Sequence, residues 1–107
     1  LAFNQLAGKE MEIGRFYLKQ NNIIAAVNRF KEVIDKYDTS MFTPEALYRL
    51  TEIYYALGVK DEAVKYAATL GYNHPQSIWY KKAHDLLSLG VTTPDLPFPR
   101  NIIGKIW

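Results

Sequence analysis

The chain has no cysteine, so disulfides and thiolate metal sites are excluded within its 107 residues, and the redox compartment stays open. No apolar run approaches the roughly 20 residues that cross a bilayer. No secretory leader is visible, and the chain opens on Leu1 instead of Met, so it reads as a processed product or a piece of a longer one. One-sided charge is lacking too. Lys plus Arg is 13 and Asp plus Glu is 11, a net +2 that is too even for a nucleic-acid surface. There is no phosphate loop, nucleophile elbow or dinucleotide fingerprint. His74 and His84 do not share a helix face, and Asp35 and Asp38 lack the glycine and ligand spacing of a calcium loop. Lys81 and Lys82 read as a solvated patch. These absences together predict a protein that is not an enzyme and that uses no metal or cofactor.

What is present is helix. Hydrophobic residues make up 49 % of the chain, enough for a core. Ile23, Ala26, Val27, Phe30, Val33, Ile34 and Tyr37 recur at steps of three and four, with Asn28, Lys31, Glu32 and Asp35 on the wet side. Leu6, Ile13 and Tyr17 share an earlier face with Gly14 beside them. The break Lys19–Asn22 is short enough to force the two helices antiparallel. A third helix opens with Thr43, Pro44 and Glu45, read as a cap, a donor-free first turn and a charge at the positive helix end. Gly58 suits a left-handed helix end. A fourth helix is expected from about Asp61 to Gly71, and a fifth from about Pro75 to Leu89 with Trp79, Ala83, Leu86 and Leu87 inward.

An internal repeat organises these helices. Residues 13–30 align with 50–67 at a shift of 37, so that Ile13 falls on Leu50, Gly14 on Thr51, Tyr17 on Tyr54, Ala26 on Ala63 and Phe30 on Ala67. Helix–turn–helix units of about 34 residues are tetratricopeptide repeats. The fold class expected is therefore all-α: a tetratricopeptide-repeat solenoid of two helix hairpins, a C-terminal capping helix and an extended tail. Residues 1–90 form the helical domain, expected to be the C-terminal part of a longer solenoid, because about three such units are needed for independent stability. Residues 91–107 carry Pro94, Pro97 and Pro99, which preclude a continuous helix, and Leu96, Phe98, Ile102, Ile103, Ile106 and Trp107, which want a surface.

The run "GRFY" (14–17), "AAVNR" (25–29), "EALY" (45–48) and "IYYALG" (53–58), in that order, resembles the C-terminal repeats of the BamD (ComL) family over roughly residues 5–89. Those are all-helical outer-membrane lipoproteins of Gram-negative bacteria. The resemblance implies a non-enzymatic interaction subunit of the β-barrel assembly machinery on the periplasmic face of the outer membrane. It would be held by a lipid anchor absent from this chain. The implied partner is a BamA-like POTRA domain, with other assembly subunits and unfolded outer-membrane protein substrates beside it. Arg29 matches the family position associated with an acidic contact on that POTRA domain.

Candidate partner-binding residues follow from both readings. Arg29 lies at the edge of the second helix's stripe beside Phe30, with Glu32 and Lys36 on the same side. Its guanidinium suits a carboxylate across an interface, or an intrahelical pair with Glu32. Tyr48 and Arg49 are expected on the concave side or on ordinary helix surface. Of the adjacent Tyr54 and Tyr55, Tyr55 is the one left for a contact. The alternative function is a general tetratricopeptide adaptor or co-chaperone module gripping a peptide carboxylate, with Met11, Arg15, Tyr48 and Glu52 as groove candidates. That set lacks the Asn such modules present.

Overall fold

The computed structural model describes residues 2–89, which form five helices: α1 (Phe3–Lys19), α2 (Ile23–Lys36), α3 (Thr43–Ala56), α4 (Lys60–Asn73) and α5 (Ile78–Leu89). The tail expected over 91–107 lies outside the described residues. Antiparallel hairpins α1/α2 and α3/α4 stack through α2 and α3, and α5 packs on α3 and α4. This is the tetratricopeptide-like, all-α architecture expected.

Local chemistry accounts for each junction. Asn21 takes the left-handed conformation (φ 60°) in the first hairpin turn, and the Asn22 side chain accepts from the Ala25 amide at 3.4 Å to cap α2. Gly58 holds φ 81° between α3 and α4. Ser77 accepts from the Trp79 amide at 3.1 Å, so α5 starts at Ile78, three residues later than Pro75 suggests. Thr43 is not the cap of α3. It is already inside the helix, and its hydroxyl donates to the Tyr37 carbonyl at 2.9 Å, which ties down the loop before α3.

Two small residues set the helix spacing. A methyl on Gly14 would lie 2.6 Å from Phe30 Cε1, so the missing side chain is what lets the buried Phe30 ring lie against α1. That contact also rotates α1. The buried set is Ala7, Met11, Gly14 and Leu18, one step round from the predicted Leu6, Ile13 and Tyr17, which stay half-buried. Gly71 does not end α4, which continues to Asn73. A methyl there would lie 2.6 Å from Tyr80 Cε1, so Gly71 serves the close approach of α5.

The core forms two connected clusters. One joins α1, α2 and α3 around Met11, Leu18, Phe30, Val33, Leu50 and Ile53. The other joins α3, α4 and α5 around Leu47, Tyr48, Leu70 and Ala83. Ile34 and Tyr66 pack against both. α3 is the axis of the molecule, and from Glu45 to Ile53 every residue of it is buried.

Candidate partner-docking surface

Arg29 is positioned by the hairpin register. Phe30 lies on Gly14, so the residue before it lies near the side chain one turn below Gly14, which is Glu10. Arg29 Nη1 donates to both Glu10 oxygens at 3.1 and 3.2 Å. The pair bridges α1 and α2 and is not the intrahelical pair with Glu32. Glu32 instead takes Lys36 at 2.8 Å, one turn along. The hydrogen bond and charge of Glu10 raise the already high pKa of the Arg29 guanidinium, so it is a permanent cation. Its side chain remains 40 % exposed, and both bonds use Nη1, so Nε and Nη2 have no partner among the described residues. The arrangement presents a fixed cation with spare donors, beside an alternating row of Glu32 and Lys36.

The other predicted residues lie elsewhere. Tyr55 is half-buried near the C-terminal end of α3. Tyr48 and Arg49 are corrected from surface to interior. Tyr48 is fully buried and donates to Glu52 Oε2 at 3.0 Å, and its ring centroid lies 5.5 Å from that of Trp79. Arg49 donates to Glu45 at 3.3 Å and to Glu52 at 3.4 Å and lies 5.4 Å over the Trp79 ring. A polar side chain enters the interior when its groups are satisfied there, which hydrophobic periodicity does not register.

Sequence reasoning missed the partners Glu10 and Arg15. Arg15 forks onto Glu45 from α1 with Nε at 2.9 Å and Nη2 at 2.5 Å. Burial pushes the Glu45 carboxyl up, but the hydrogen bonds and charges of Arg15 and Arg49 outweigh it and hold the group below the usual carboxylate range. The run Arg15–Glu45–Arg49–Glu52–Tyr48 therefore links α1 to the centre of α3. The Gly14–Phe30 pairing fixes the hairpin register, and it was the sequence signal for Glu10. No signal pointed to Arg15–Glu45, which spans 30 residues. No group of three or more His, Asp or Glu among the described residues is arranged to hold a metal ion, and no described helix is long and apolar enough to cross a membrane.

Comparison with known proteins adds the family. Residues 2–70 match the family YfiO, described as outer membrane lipoprotein. A Rickettsia prowazekii protein named outer membrane protein assembly factor BamD is 59 % identical over 87 residues, which is 81 % of this chain and 35 % of the relative. The Caulobacter vibrioides protein of the same name is 52 % identical over 85 residues, covering 79 % of this chain and 28 % of the relative. One from Neisseria meningitidis is 35 % identical over 72 residues, covering 67 % and 27 %. The chain thus spans about a third of the length of these relatives. No solved structure gives a significant match. A match across most of the helical stack shows that the chain belongs to the BamD-type outer membrane lipoproteins, a family of the outer membrane.

Proposed function

We propose that this helical stack is the docking part of a non-enzymatic subunit of the outer-membrane β-barrel assembly machinery, at the periplasmic face. It would bind the POTRA domain of the barrel subunit through the Arg29 surface. The relatives' name, assembly factor, supports the machinery. The observation that carries the docking surface is Arg29 itself, braced across two helices by Glu10 while its remaining donors face no described residue. A braced guanidinium loses little entropy on pairing with a partner carboxylate, and two parallel bonds make the pair orientation-specific.

The test is a charge swap in the full-length protein. Arg29→Glu should weaken binding to the purified POTRA region, measured by calorimetry. An acid-to-base reversal on the partner should restore it. The double variant Glu10→Arg with Arg29→Glu rebuilds the internal pair, so it should keep the melting temperature but not the affinity. Wild-type affinity in Arg29→Glu would remove this surface from the interface.

We further propose that residues 1–90 are the C-terminal part of a longer solenoid. A cleft of about 330 Å³ on α1 is lined by Lys9, Glu12, Ile13, Phe16 and Tyr17. The 37-residue repeat carries these onto Ala46, Arg49, Leu50, Ile53 and Tyr54, of which Ala46, Leu50 and Ile53 lie in the core shared with α2. The α1 cleft is the equivalent seat, with Phe16 58 % exposed. The adaptor reading gains no support, because Met11 is buried in the core and Arg15, Tyr48 and Glu52 bond to other side chains of the chain.

A further inference from the structure

We propose that the cleft between α4 and α5 is the seat of an amphipathic helix from another polypeptide, running antiparallel to α5. The cleft has a volume of about 510 Å³. Val64 and Ala68 of α4 line one side, and His84, Leu87 and Ser88 of α5 line the other. No carboxylate or ammonium group lines it, so the face it offers is apolar. Val64 is 53 % exposed, and Tyr72, which also lines it, is 88 % exposed.

The repeat shows what belongs there. α5 stacks on α4 as α3 stacks on α2, so α5 is the first helix of a third unit. The 37-residue shift carries His84, Leu87 and Ser88 back onto Leu47, Leu50 and Thr51 of α3. Those three are dry, with exposures of 2, 0 and 0 %. α4 supplies much of their cover. Ala67 and Leu70 join Leu47 in one core cluster, and Tyr66 packs against that cluster and against the one holding Leu50. On α5 the same positions stand open, with His84 and Ser88 exposed and Leu87 half-buried. The cleft therefore continues the interface by which the stack is built, one helix short among the described residues. A repeat unit does not bury its apolar face alone. The cover that fits has the chemistry of α4: a helix antiparallel to the one it covers, with small residues and an aromatic on one stripe, as Ala63, Tyr66 and Ala67 are. Beyond Leu89 the sequence holds no proline-free stretch longer than residues 100–107, against the 14 residues of α4, so a helix of that length comes from another chain. The inference does not depend on the Arg29 docking surface.

The probe is a peptide with the sequence of α4, residues 60–73, closed by a lactam between Asp61 and Lys65 because so short a helix is marginal on its own. Titrated into the isotope-labelled full-length protein, it should give saturable amide shifts at Val64, Ala68, His84 and Leu87. A scrambled peptide should give none. Ala68→Arg, at an exposed position lining the cleft, should weaken binding several-fold at an unchanged melting temperature. Ser88→Arg, exposed on the opposite side, should do the same. No shift at these residues, or shifts centred on Phe16 in the α1 cleft, overturns the proposal. The same shifts appearing on concentration without peptide would assign the face to a second copy. Binding that appears only after deletion of residues 91–107 would assign it to the chain's own segment. Either of these results overturns the proposal as well.

Discussion

At the scale of single residues, tolerance depends on what the neighbour can do. Gly14→Ala pushes a methyl into Phe30, which is fully buried and has nowhere to go. Overpacking of this kind costs about 1–3 kcal/mol, and urea unfolding should show it. Gly71→Ala meets Tyr80 at the same 2.6 Å, but that ring is half-buried and borders an open cleft, so it can swing. Its loss should be clearly smaller in the same titration. Glu45 supplies a pH dependence. Its folded pKa is lowered, so its stabilisation is present above the ordinary carboxylate range and fades as pH falls through the folded value. Glu45→Gln should therefore flatten the acid side of the stability–pH curve, below about pH 4.5. Arg15→Met, which leaves Glu45 with Arg49 alone, should cost about 1–3 kcal/mol at neutral pH.

At the scale of elements, the two hairpins solve one packing problem with different side chains. Where the first pairs Gly14 with Phe30, the repeat places Thr51 and Ala67. A large ring opposite no side chain is replaced by two residues of middling size. The first solution concentrates its energy in one ring, so Phe30→Ala should cost about 3–5 kcal/mol, as full aromatic truncations in a core do. This pairing was legible in the sequence because small and large residues alternate at the repeat's shift. The rotation of α1 was not, since several stripes on that helix are apolar enough to pass. The true one was chosen by the residue that had to receive Phe30.

At the scale of the whole molecule, stacking leaves one end open. The α1 cleft is lined by Ile13, Phe16 and Tyr17 with Lys9 and Glu12 beside them, and its 58 % exposed Phe16 is the kind of apolar surface that promotes association. Phe16→Ser should lower self-association of this chain by light scattering while moving its stability by no more than about 0.5 kcal/mol, the usual range for surface changes. In the full-length protein the same change should lower the melting temperature, if another hairpin occupies the seat. Equal melting temperatures there would argue against the longer solenoid.

The sequence by itself determined the helices, their pairing, the 37-residue repeat and the family, because periodicity, small-residue spacing and turn residues are local in the chain. It also singled out Arg29 as a charge at the edge of a buried stripe. Only the tertiary structure decided that Arg29 braces on Glu10, that Tyr48 and Arg49 turn inward, and that Arg15 and Glu45 lock α1 to α3. Those contacts join residues 19 and 30 positions apart, and a charged side chain goes inside or outside according to the partners it meets there.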